Sequence, residues 1–92
     1  MQLEIVTPEA TLFSGEVTSV AVPGVLGEFQ MLNNHAPIVS LLGNGHVKIY
    51  GEIALAKDVA AKFKKVDNNL TLLPINSGTI EMKDNKVIVL AD

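Results

Sequence analysis

The sequence contains no cysteine and no arginine, and each absence removes a class of chemistry. Without thiols there is no disulfide staple, no thiolate nucleophile and no cysteine-ligated zinc, a composition that fits a reducing compartment. All seven basic residues are lysines, so the planar guanidinium forks that grip phosphates and guanine edges are missing. With a formal net charge of −3 and a pI near 5.2, nucleic acid is not an expected partner. Long apolar runs are missing too, the longest being strand-sized and far short of the roughly 20 residues that span a bilayer. Membrane association is therefore expected only through another protein. The opening Met1-Gln2-Leu3-Glu4-Ile5 meets a charge at once. No secretion signal or transit peptide is visible in it, and the mature chain is expected to start at Met1.

What is present is ordinary globular material. The 92 residues are 48% hydrophobic and 18% charged, enough for one domain with a real core over 1–92 and too few for two. Leu3 and Ile5 alternate with Gln2 and Glu4 up to Thr7, the period of a half-buried strand that Pro8 ends. Phe13-Ser14-Gly15 reads as a turn before a valine-rich strand over 16–22, which Pro23-Gly24 closes. The same grammar predicts strands over 28–32, 37–42, 46–50, 70–75, 79–83 and 86–90, with Asp84-Asn85 as a hairpin tip. Many short strands at close spacing indicate an all-β sandwich or barrel. The segment 52–65 breaks the pattern. Ile53, Ala56, Ala60 and Phe63 recur at helical spacing, predicting a short helix or an irregular insertion, with a pair of strands around Asp58 as the competing reading.

Little in this pattern carries chemistry. His35 lies in a polar loop and is the best candidate for a general base. No serine, carboxylate or metal ligand flanks it at an informative spacing, so a structural or interface role fits better. Asn33 and Asn34 favour side-chain bonds to the backbone and turn dihedrals, and Pro37 pushes Ala36 towards extended geometry, giving a shaped loop. His46 begins or edges a strand, and two histidines this far apart make no metal site. The glycines of Val22-Pro23-Gly24-Val25-Leu26-Gly27-Glu28 lack the spacing, helix and lysine of a phosphate loop. Lys57, Lys62, Lys64 and Lys65 are interrupted by Asp58 and flanked by Glu52 and Asp67, as on a solvated face. Val25 and Leu26 resist the bland reading, because an apolar loop tip beside Glu28 is how a protein contact is built.

Phe13-Ser14-Gly15, Val22-Pro23-Gly24, Gly27-Glu28-Phe29, His35-Ala36-Pro37, Asn76-Ser77-Gly78 and the closing Val87-Ile88-Val89-Leu90-Ala91-Asp92 stand in one order over nearly the whole chain. That combination resembles the epsilon-subunit family of F-type ATP synthases. The resemblance implies a flattened β-sandwich of about 8 to 10 short strands. It also implies a place at the foot of a central stalk that couples rotation to ATP synthesis, driven by protons or sodium ions, with no catalytic residue, cofactor or metal. It assigns Val25, Leu26, Gly27, Glu28 and Phe29 to contact with the c-ring. There the Glu28 carboxylate would accept hydrogen bonds from basic or amide groups while Val25 and Leu26 exclude water. Thr7, Asn34, His35, Ala36, Pro37 and Ser40 are assigned to the gamma subunit.

The resemblance further implies a peripheral position on the cytoplasmic face of a bacterial inner membrane. The carboxy-terminal helical hairpin of many relatives is expected to be missing, and with it ATP binding and hairpin-based inhibition. The sequence departs from the family where Gln30 replaces a usual glycine, Asn33-Asn34 replace Pro-Gly, Thr79 replaces a glycine, and 52–68 is longer. A free-standing β-sandwich that binds a small ligand is the alternative reading.

Overall fold

Alternation sets the first strand, β1 (Gln2–Val6): Leu3 and Ile5 are fully buried while Gln2, Glu4 and Val6 lie on the other face. The computed structural model describes residues 1–92. Nine more strands follow: β2 (Thr11–Glu16), β3 (Ser19–Gly24), β4 (Gly27–Met31), β5 (Ile38–Leu42), β6 (Gly45–Tyr50), β7 (Lys64–Asp67), β8 (Leu70–Ile75), β9 (Gly78–Lys83) and β10 (Lys86–Ala91). They form a curled β-sandwich. One layer runs β2-β1-β10-β9-β5 and the other β4-β3-β6-β8-β7, and the layers join where Gly24 pairs with Leu42. At that corner the Val25 N–H donates to the Leu41 carbonyl at 3.2 Å and the Gly43 N–H to the Pro23 carbonyl at 2.8 Å. The β1–β10 ladder is parallel and the remaining ladders are antiparallel.

Both layers turn their apolar rows inward on a cluster of 22 buried side chains, among them Leu3, Ile5, Val20, Val22, Met31, Ile49, Ile80 and Val89. Large apolar area removed from water here is the main favourable term holding the sheets together. The tip Asp84-Asn85 is the tight hairpin the sequence predicts. Both residues have positive φ, 53° and 60°, as a two-residue loop matched to strand twist requires.

Two expectations fail. Phe13-Ser14-Gly15 is not a turn but the middle of β2, paired with Ile5, Glu4 and Leu3 of β1. The register shifts between Ile5 and Val6, and this bulge lets the consecutive Leu12 and Phe13 both turn inward. Gly15 makes room for the Phe13 ring, since a Cβ there would lie 3.1 Å from it.

The segment 52–65 forms no α-helix either. It contains one 3-10 turn, Ala60–Lys62, and then enters β7. Ile53, Val59 and Phe63 are buried, whereas Ala56 is exposed and Ala60 only half-buried, so the helical face does not exist. A helix this short is marginal on its own. Here the backbone is instead held by the β7–β8 ladder and by the Lys65 ammonium, which donates to the Ile53 carbonyl at 3.0 Å. The irregular insertion is the reading that survives.

Candidate functional site

In the second layer β4 has only β3 as a neighbour, and the tip of the β3–β4 hairpin meets the first layer, the Val25 N–H donating to the Leu41 carbonyl of β5. Gly24 pairs with Gly27, leaving Val25 and Leu26 as a two-residue tip, and Gly27 carries φ +130°, which few side chains tolerate. Leu26 is fully exposed and Val25 is 58% exposed, so apolar surface is presented to water at the corner where the layers join. Phe29 folds back and packs partly against the core.

Glu28 does not stand free beside this tip. Its Oε1 lies 3.0 Å from the Lys48 ammonium on β6, so the pair spans the outer face of β3. Pro23 is opposite Glu28, and Ala21 is opposite both Gln30 and Lys48. Ala21 is buried although its neighbours Val20 and Val22 claim the inner face, so these cross-strand side chains cover it. A second tie runs alongside, with the Gln30 amide donating to the Ser19 hydroxyl at 3.0 Å. The glutamine in place of the family's glycine is thus used to anchor β4. The hydrogen bond from Lys48 to the Glu28 carboxylate, aided by the carboxylate's charge, raises the lysine above its ordinary 10.5.

The loop after β4 is a shaped one. The His35 N–H donates to the Leu32 carbonyl at 3.1 Å, and Asn34 has φ 61°, taking the left-handed conformation a glycine would supply. Asn85 at the neighbouring β9–β10 tip locks it. Its Oδ1 accepts from the Asn34 N–H at 2.8 Å, and its side-chain amide donates to the Asn33 oxygen at 3.0 Å. The His35 Nδ1 lies 2.7 Å from the Ala36 carbonyl, so that nitrogen is occupied by its own loop. Ala36 and Pro37 are exposed. No three His, Asp or Glu side chains gather closely enough to hold a metal ion.

The residues assigned to gamma do not form one patch. Thr7 caps the β1–β2 turn, its N–H and hydroxyl both donating to the Ala10 carbonyl. It lies at the opposite end of β1 from the strand end that meets Asn85, to which the 33–37 loop is tied. Thr7 instead shares a groove of about 610 Å³ with Val25, Leu41, Thr79 and Leu90. Ser40 lies on the inner side of β5 with Leu42, half-buried, opposite Ile80 of β9.

Between these ends the outer face of the first layer carries apolar side chains that the sequence reading passed over: Val39 (75% exposed), Leu41 (62%) and Leu90 (51%). The register aligns Leu41, Thr79, Leu90 and Val6 across β5, β9, β10 and β1. The signal was available, since Ile38-Val39-Ser40-Leu41-Leu42 is apolar on both of its faces and so is built to be covered twice.

Fold and surface define a small β-sandwich that offers contact faces: an apolar sheet, an apolar hairpin tip and a pinned loop. The family described as ATP synthase delta/epsilon chain, β-sandwich domain, matches residues 1–92, and the chain belongs to it. Similar curated proteins include the ATP synthase epsilon chain of Campylobacter concisus, 39% identical over all 92 residues. That of Leptospira interrogans is 34% identical over the same span. This chain covers 60% and 61% of the length of those two relatives. The epsilon chain of Chlorobium limicola is 35% identical over 91 residues, 88% of its own length.

Among solved structures, a chain of the Tetrahymena thermophila mitochondrial ATP synthase central stalk and c-ring is similar, with a TM-score of 0.68 over 98% of this chain and 61% of that one. At 14% identity this likeness shows the fold alone. No helix is long and apolar enough to cross a membrane.

Proposed function

We propose that this β-sandwich is the epsilon-subunit module of an F-type ATP synthase, which fastens the gamma subunit to the c-ring so that rotation is coupled to ATP synthesis without slip. The observation that carries the reading is the family match along all 92 residues. The work asked of such a module is mechanical. Two surfaces must each hold a partner, and the body that carries them must not shear.

The chain offers two such surfaces, which adjoin at the groove shared by Val25, Leu41 and Leu90. Gamma lies against the outer face of the first layer, where Val39, Leu41 and Leu90 stand exposed and which Thr7 and the His35 loop bracket at its two ends. An exposed apolar sheet face of this kind is costly in water and gains by being covered. The ring takes the hairpin tip, Val25 to Phe29, at the corner where the two layers join. His35 serves the shape of its loop. The complex places the chain peripherally at the cytoplasmic face of a bacterial membrane.

The test is native mass spectrometry of a tagged copy expressed in its own host and extracted in mild detergent. Recovery with gamma and the c-ring is the expected outcome. Recovery alone, with those subunits abundant in the same extract, overturns the reading in favour of a free-standing ligand-binding sandwich.

A further inference from the structure

The hairpin tip carries one carboxylate, and its ion pair decides what chemistry a partner meets there. Glu28 Oε1 is held at 3.0 Å by Lys48, a residue two strands away on β6, while half of the Glu28 side chain stays exposed. One carboxylate oxygen is thereby fixed by an internal cation and the other still accepts hydrogen bonds. The pair is neutral overall. Seen from a partner more than a few ångströms away, the tip is two apolar side chains beside a charge-compensated acceptor, with little net field to draw in a cation.

We propose that Lys48 is a positioning residue for the hairpin contact: it aims Glu28 and cancels its charge, so that the tip recognises an apolar surface bearing a neutral hydrogen-bond donor, an amide, and not a lysine or arginine. This inference rests on the ring contact proposed above. Its geometric support is separate from that reading. The Lys48–Glu28 tie and the Gln30–Ser19 bond are the polar side-chain links of β4 on the outer face, the first crossing β3 to β6 and the second ending on β3 itself. The Val25–Leu41 backbone bond holds the tip on its β3 side, and these ties hold the β4 side, where β3 is the only strand neighbour.

Two consequences follow. Association through the tip is nearly independent of salt, because no net charge is matched across it. Removing Lys48 does not relieve a competitor for Glu28 but releases a mobile, uncompensated carboxylate at the edge of an apolar contact.

The experiment uses the full chain, gamma and the detergent-solubilised c-ring, with association measured from 50 to 500 mM NaCl. Wild-type affinity is expected to change less than about twofold across the series, the screened-pair limit for a contact without net charge matching. Lys48→Met is expected to weaken association by about two- to fivefold, the range of exposed ion pairs. Lys48→Arg should restore it, whereas the exchange Lys48→Glu with Glu28→Lys, which keeps the ion pair but leaves no acceptor at position 28, should not.

Steep salt dependence in the wild type, or tighter binding by Lys48→Met, overturns the proposal by showing that Glu28 seeks an external cation. Failure of every chain, wild type included, to bind the ring overturns the functional reading instead. In that event amide hydrogen exchange of the isolated chain still tests the positioning. Residues 27–31 should exchange about two- to fivefold faster in both Lys48→Met and Glu28→Gln, and unchanged exchange in both sinks it.

Discussion

Thr71 stands on the inner face of β8 between Ile49 and Lys65 of the flanking strands, and its hydroxyl is buried with no partner. A buried hydroxyl that has left water without gaining a hydrogen bond costs on the order of 1–3 kcal/mol. Thr71→Val keeps the β-branched shape and removes the orphaned group. It should raise stability by about 1 kcal/mol, or roughly 5 °C in melting temperature for a domain of this size, measured by urea and thermal unfolding. Gly78 is the opposite case. It lies between Leu42 of β5 and Ala91 of β10, where a Cβ would sit 2.3 Å from the Leu90 carbonyl oxygen. Gly78→Ala must push two strands apart and should cost about 2 kcal/mol or more by the same measurement, since the obstacle is backbone and cannot rotate away. Neither fact is legible in the sequence. A threonine in Leu-Thr-Leu-Leu is an unremarkable strand former, and a glycine after Asn-Ser reads as a turn.

At the scale of the element, most strands were legible, but β2, β7 and the irregular segment were not. Alternation and turn residues place strands within a residue or two at 70–75, 79–83 and 86–90, because a hairpin such as Asp84-Asn85 is specified locally. Phe13-Ser14-Gly15 misled because a bulge and a ring over a glycine are decided by the partner strand, not by the residues themselves. The 52–65 stretch misled for a similar reason: weak helical periodicity in an alanine-rich run gives way once Ile53, Val59 and Phe63 find the core separately.

The β3–β4 hairpin gives the prediction that belongs at this scale. Lys48 is raised above 10.5 in the folded chain by the Glu28 hydrogen bond and charge. A cation whose folded value exceeds its unfolded one contributes stability that is complete below the unfolded value and is lost as pH rises through the folded one. The melting difference between wild type and Lys48→Met should therefore hold steady below the ordinary lysine value of 10.5 and close only as pH rises through the raised folded value. A difference that instead closes on acidification to pH 6 would assign the stabilisation to another group.

For the whole molecule, the candidate surfaces were half legible. The apolar tip Val25-Leu26 announced itself because two glycines bracket it, yet the sheet face did not, because Ser40 drew attention to the inner side of β5 while Val39 and Leu41 occupy the outer one. If that outer face carries gamma, its apolar row is where binding energy concentrates, since a few buried anchors dominate most interfaces. Leu41→Glu combined with Leu90→Glu places two carboxylates in the middle of the row, on side chains already 62% and 51% exposed.

Stability should then move by no more than about 0.5 kcal/mol, as for other surface changes. Gamma association should fall by about 30-fold or more, the loss expected from an interface anchor. Val66→Glu is the control: it is equally apolar and 50% exposed, but it sits on the edge strand β7 of the other layer. In a pull-down or titration with gamma it should bind as wild type does. Equal losses from both variants would mean that exposed apolar area in general is what gamma sees. A loss confined to Leu41 and Leu90 would fix the docking face on the first layer, beside the hairpin tip whose Val25 borders the same groove.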